Sequence, residues 1–153
     1  MSLGDDLDRG ELTKSALEEM EKKVLDEFPK YMSLDLASII ASFFRLSYVP
    51  RILLHELNRM SALSTMNKYS CLVVLESFVQ ARYDESNELY DKLFAQLQKT
   101  SSNLNAKLSG RALSILSAYL DIFKSDRERV ESIVPVVDFY LNRFNDAAKV
   151  PSM

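Results

Sequence analysis

One cysteine, one histidine, three glycines and four prolines are all that 153 residues hold of those four types, and each shortage excludes something. A lone Cys71 rules out an intramolecular disulfide, and with His55 it cannot assemble a Cys/His zinc site from this chain alone. So few turn-forming residues are hard to reconcile with several β-hairpins and are typical of all-helical proteins. Long apolar runs are missing too. Residues 36–44 and 112–120 stop at Arg45 and Asp121, well short of the ~20 residues a membrane-spanning helix needs. No Gly-rich phosphate loop is present. Acids fall at helix starts or in i,i+4 pairs with Lys, where solvation and the helix dipole account for them. The expectation is a non-enzymatic protein with no cofactor, no metal and no membrane partner.

Net charge is also small, at −3, and it is unevenly placed. Residues 1–35 carry ten acids and five bases, whereas 36–153 carry fourteen bases and twelve acids. The later region therefore has no concentrated basic stripe of the kind a nucleic-acid binder usually shows. Residues 1–30 are too acidic for a mitochondrial transit peptide and have no apolar core for a secretory signal.

What the chain does have is a recurrence. Leu36-Ala37, Ile39-Ile40, Ser42-Phe43 and Tyr48 return 35 residues on as Cys71-Leu72, Val74-Leu75, Ser77-Phe78 and Tyr83. A third copy follows after another 41, as Ala112-Leu113, Ile115-Leu116 and Ala118-Tyr119. A period of 20–50 residues is the mark of stacked helical repeats. The reading is all-α: an α-solenoid-like array of about seven helices in antiparallel helical-hairpin repeats. Its parts are a disordered or frayed lead over 1–10, a single helical-repeat domain over 11–146 and a tail over 147–153.

Apolar spacing places the helices. Leu17, Met20, Val24, Leu25 and Phe28 mark the first, beginning near Glu11 and ended with the help of Pro29. Ser33 is the expected N-cap of a second that runs to about Tyr48. Pro50 suits the first turn of a third, whose Ile52, Leu53, Leu57 and Met60 should face inward. A fourth over about 67–83 and a fifth over about 87–99 repeat these. Ser109 should open the sixth. Ser125 with Glu128 reads as a capping box for the seventh, which Pro135 should bend near Ser132.

That last helix carries two apolar stripes: Val130, Ile133, Val134, Val137, Leu141 and Phe144 on one side, and Val136, Phe139 and Tyr140 on another. A helix apolar on two faces is covered on two faces, so a protein partner, further repeats or a second copy in a homodimer should pack there.

Candidate binding residues are polar positions of the leading helices, most of them opposite the repeat's core positions, with Arg82 and Arg111 beside them. The first copy offers Ser38, Ser42 and Arg45, the second Ser77, Gln80 and Arg82, and the third Arg111, Ser114 and Asp121. Small and variable polar residues in such rows are what solenoids use to read a polymer; the same pattern also describes a solvent face free to drift. Tyr48, Tyr83 and Phe123 close the leading helices, as stacking platforms for bases or as plugs between paired helices. Cys71 stands where Leu36 and Ala112 stand in the other copies and reads as a small core residue.

The segments LDLASIIASFFRLSYVPRILLHEL (34–57) and CLVVLESFVQARYDESNELYDKLFAQL (71–97) resemble the helical repeats of FAST-kinase-domain and RAP-domain proteins, close in style to octotricopeptide repeats. Shared are an apolar leading helix, a Tyr at its end and Leu-Leu-x-x-Leu in the trailing helix. Where that pattern usually has Gly before the Tyr, Ser47 and Arg82 stand here. The resemblance spans roughly 34–144 and implies binding of single-stranded RNA in organellar, usually mitochondrial, RNA metabolism, without catalysis in the repeats. The alternative is a cytoplasmic protein-interaction scaffold of the HEAT or tetratricopeptide type.

Overall fold

A computed structural model describes residues 3–28, 31–59, 61–101 and 105–149. Among them are seven α-helices and no strand: α1 (Leu3–Asp26), α2 (Ser33–Arg45), α3 (Arg51–Arg59), α4 (Lys68–Gln80), α5 (Asn87–Lys99), α6 (Ala106–Ile122) and α7 (Arg127–Lys149), with a 3-10 turn over Ser61–Thr65 after α3. No helix is long and apolar enough to cross a membrane among these residues.

The leading helices of successive hairpins lie side by side, α2 against α4 and α4 against α6, and α7 covers α6. Their direction follows from which ends meet. Ser33 at the start of α2 is 3.3 Å from Ser70 near the start of α4, and Phe44 near the end of α2 meets Phe78 and Tyr83 at the end of α4. Arg82 after α4 likewise reaches Asp121 near the end of α6. Trailing helices keep the same order: Arg51 at the start of α3 holds Glu85 just before α5, and Asp91 of α5 holds Arg129 of α7. The leading helices therefore run side by side in one direction.

An aromatic chain runs through the core. Phe44, Phe78, Tyr83, Tyr90, Tyr119 and Phe123 follow one another with ring centroids 4.6–6.2 Å apart, and edge-on pairs such as Phe44–Phe78 and Tyr90–Tyr119 contribute about 0.5–1.5 kcal/mol each beyond their burial. Tyr90 is its hub, fully buried, with its hydroxyl donating to the Tyr83 carbonyl at 2.6 Å. Tyr83 and Phe123 are buried and Tyr48 is half-buried, so these rings plug the hairpins rather than offer stacking platforms. Cys71 is buried as expected, and desolvation pushes its thiol up to about 12.

The helix ends differ from the sequence reading in instructive ways. α2 and α4 stop at Arg45 and Gln80, three residues before Tyr48 and Tyr83. Ser47 and Arg82 have φ of 57° and 53°. In each turn the Tyr N–H bonds back five residues, to Phe43 or Phe78, and the preceding N–H bonds back three, to Phe44 or Val79. That is the Schellman arrangement, completed by contact of the Tyr ring with Phe43 or Phe78. Met32, not Ser33, is the N-cap of α2, which leaves the Ser33 hydroxyl for Ser70.

Asn105 rather than Ser109 opens α6, accepting from the Leu108 N–H at 2.8 Å. Asp126 rather than Ser125 serves α7, accepting from Arg129 N–H at 3.3 Å. Asn and Asp are as good caps as Ser, so the choice fell to the position where the turn points the oxygen inward. α1 begins at Leu3 rather than near Glu11 and α7 runs to Lys149, so helix extends into both segments read as a lead and a tail. Gly4 and Gly10 lower helix propensity without breaking it, and the Ala147-Ala148 pair favours continuation. α7 passes through Pro135 without interruption. Met20 and Ile52, expected inside, are 51% and 58% exposed; Pro29 and Met60 lie outside the described residues.

α1 is joined to the array by a residue the sequence reading passed over. Glu21 is only 3% exposed; its carboxylate accepts from the Tyr48 hydroxyl at 2.6 Å and from the Leu53 N–H at 3.0 Å. Leu53 is the third residue of α3, so a carboxylate from another helix caps one of the N–H groups that α3 leaves unpaired. Glu18 and Glu19 beside it are exposed and helical by the same pattern, and nothing in sequence distinguishes Glu21 from them.

Candidate functional site

Side-by-side helices of one direction leave a furrow between their outer faces, and here it is lined by side chains from every leading helix. One cavity of about 660 Å³ lies between α2 and α4 and includes Arg45, Ser47, Tyr48, Glu76, Ser77, Gln80 and Arg111. A second, of about 330 Å³, lies between α4 and α6 and includes Glu76, Gln80, Arg111 and Ser114. Glu76, Gln80 and Arg111 line both, so the two are one groove.

The nine candidate polymer-reading residues divide three ways. Arg45, Ser77, Gln80, Arg111 and Ser114 line the groove. Ser38 and Ser42 do not: they line a separate cleft of about 360 Å³ between α1 and α2, with Met20, Ile39, Phe43 and Leu46. The outer face of α2 has α4 on one flank and α1 on the other; the two serines lean toward α1, while the longer Arg45 reaches the α4 side. Arg82 and Asp121 pair with each other at 3.0 Å. This hydrogen bond, with Lys124 close by, holds the Asp121 carboxyl below its usual range, and neither residue lines the groove.

Charge in the groove is mixed. Arg45 makes no ion pair among the described residues and is exposed. Arg111 is engaged by Glu76, its Nε donating to the carboxylate. The other polar groups include the Gln80 amide, the Ser47, Ser77 and Ser114 hydroxyls and the Tyr48 hydroxyl, with Ser77 also donating to the Val73 carbonyl at 2.9 Å. Glu76 is the residue that sequence reasoning missed. Its partner lies 35 residues on, and only the lateral offset of α4 and α6 brings the two together.

On the last helix, the second stripe was expected to form a docking face. Tyr140 is instead fully buried, its hydroxyl 3.4 Å from Ser101 just after α5. Val136 and Phe139 are half-buried against the core, and Arg143 lies over the Phe139 ring. The apolar residues left open are Val134 and Leu141, at 48% and 44% exposure, and they come from the first stripe.

Nothing in the groove resembles a catalytic constellation. His55 is exposed on α3, away from it, and among the described residues no group of three or more His, Cys, Asp or Glu side chains is placed to hold a metal ion. Compared with protein-family models, curated proteins and solved structures, the chain matches none.

Proposed function

We propose that this protein is a non-catalytic helical-repeat module that binds single-stranded RNA along the α2–α4–α6 groove, in mitochondrial RNA metabolism as the repeat resemblance implies. The observation that carries the reading is the groove itself: three leading helices of one direction present Arg45, Gln80 and Ser114 along a continuous furrow. The Arg45 guanidinium presents a planar fork of donors suited to a phosphate. The Gln80 amide offers both donors and an acceptor to a base edge, and the serines keep the floor low. The left-handed Ser47 and Arg82 adopt the conformation glycine favours, the residue the family pattern has there.

With Arg45 the one unpaired cation of the groove, binding is weak and depends modestly on salt. Fluorescence anisotropy with a labelled single-stranded oligonucleotide across a salt series should give a slope of log K against log salt near −0.7, the value for about one neutralised phosphate on a single strand. Arg45→Ala should bring that slope close to zero without changing the melting temperature. No binding at low ionic strength, or a slope indifferent to Arg45→Ala, overturns the reading.

A second reading, a protein-interaction scaffold, is favoured by the apolar surface at both ends of the array: Val134 and Leu141 on α7, and the α1/α2 cleft with Met20 and Leu46. Silence toward the oligonucleotide, with concentration-dependent association in sedimentation, would carry it instead.

A further inference from the structure

Four ion pairs join neighbouring hairpins at about the repeat spacing: Arg51–Glu85, Glu76–Arg111, Arg82–Asp121 and Asp91–Arg129. Three of them lie outside the groove. Glu76–Arg111 stands in its middle, and both residues line both of its cavities. The pair is about one-third exposed, at 29% for Glu76 and 35% for Arg111, so it is neither sealed in the core nor fully solvated. A carboxylate on a guanidinium has the geometry and charge of a phosphate on a guanidinium.

We infer that Glu76 is a built-in competitor for the groove's ligand: it occupies the anion seat on Arg111, and a phosphate group of the RNA must displace it to gain the second cationic contact. This rests on the RNA reading above and adds a regulatory element to the same site. In the resting protein Arg45 alone is open to a phosphate. Glu76 keeps the middle of the groove close to neutral. An RNA that places one phosphate at Arg45 and another at Arg111 must move the Glu76 side chain aside. A chain that cannot span both stays bound at Arg45 alone.

The test is Glu76→Gln, which keeps size and hydrogen-bonding capacity while removing the charge. Its affinity for the labelled oligonucleotide at low salt should rise roughly tenfold, the order of one charge-assisted hydrogen-bonded contact. Its salt slope should steepen by about 0.7, the increment of one more phosphate contact on a single strand. The double variant Glu76→Gln, Arg111→Met should return both quantities to the wild-type values, because the gain is carried by the freed Arg111; Glu85→Gln, which removes the same charge from an ion pair outside the groove, should leave both unchanged, which separates release of Arg111 from a general change of potential. Glu76→Ala gives a second measurement should Gln disturb the α4–α6 packing.

Binding by the wild type with affinity and slope unchanged in Glu76→Gln and Glu76→Ala overturns this inference and leaves the groove reading standing. Persistence of the gain in the double variant does the same. No binding by wild type or variants overturns both.

Discussion

In the first two hairpins the leading helix is stopped by a left-handed residue and a tyrosine folded back onto its last turn; in the third, neither device is present. α6 ends at Ile122 with Phe123 as C-cap, and no residue after it has positive φ among the described residues. The work of the turn passes to side chains. Arg129 donates to the Tyr119 hydroxyl and, at 2.7 and 3.0 Å, to the Asp91 carboxylate, tying α7 to both α6 and α5. The trailing helix also lengthens, from 9 residues in α3 and 13 in α5 to 23 in α7. Hairpins that share a core face thus differ in how they close. The longer spacing before the third copy, 41 rather than 35, belongs mainly to the longer α5 and to an added turn at the start of α6.

The largest effect should come at high pH, and it tests whether the two kinds of hairpin unfold together. Burial, the leading cause in each case, raises the phenols of Tyr83 and Tyr90 in the second hairpin and of Tyr119 and Tyr140 in the third above their ordinary value of 10.0. Below pH 10 these groups are protonated folded and unfolded alike, and their contribution is fully present. Above it the unfolded chain releases protons that the folded chain retains, so unfolding becomes easier by at most about 1.4 kcal/mol per pH unit for each phenol. The Cys71 thiol, raised from 9.0 to about 12, adds to this from about pH 9. Thermal melts followed by circular dichroism should show one transition whose midpoint falls steeply above pH 10. Two transitions would mean that α6–α7 is a separate unit, and a flat profile would mean that the phenols are not buried.

Side-chain truncation sharpens the same contrast on a smaller scale. Tyr90→Ala should cost about 3–5 kcal/mol in denaturant unfolding, since it removes the hub of the aromatic chain. Tyr→Phe variants are more discriminating. Tyr90→Phe leaves the buried Tyr83 carbonyl without the 2.6 Å donor it has and should cost about 1–2 kcal/mol. Tyr140→Phe loses only a 3.4 Å contact with Ser101 and should be near neutral. Equal costs at the two sites would remove the distinction between a hydrogen-bonded hub and a packed ring.

Much of this architecture was legible in the sequence because burial on a helix repeats with a fixed angular step. Leu36, Ala37 and Ile40 in α2 and Cys71, Leu72 and Leu75 in α4 were readable as core from their spacing alone, and all are buried. Caps were less legible, because Ser, Asn and Asp compete on nearly equal terms and the winner depends on the turn. The groove was legible only in part. Periodicity placed Arg45, Gln80 and Ser114 on an outward face, but a face has two flanks, and which neighbour lies on each is a tertiary fact; that is why Ser38 and Ser42 went to the α1 side. The pairings of Glu76 with Arg111 and of Arg82 with Asp121 depend on the offset between helices, and the sequence fixes no such offset.

The smallest effect goes to the turns where the comparison began. An L-residue in the left-handed region is disfavoured by about 1–2 kcal/mol against its ordinary conformations, and glycine escapes that cost but gives back part of it through the freedom it adds to the unfolded chain. Ser47→Gly should therefore stabilise by about 0.5–1 kcal/mol, since the Ser47 backbone already has φ of 57° and its exposed side chain makes no hydrogen bond among the described residues. Arg82→Gly should gain less, because it gives up the pair with Asp121, an exposed contact of modest worth. Lys124→Gly, in the turn that follows α6, has no left-handed backbone to relieve, gives up an exposed ion pair with Asp121, and should be neutral or slightly destabilising. The order Ser47, Arg82, Lys124 in measured unfolding free energy is the sharpest statement of the difference. A gain at Lys124 as large as that at Ser47 would mean that all three leading helices end in the same way.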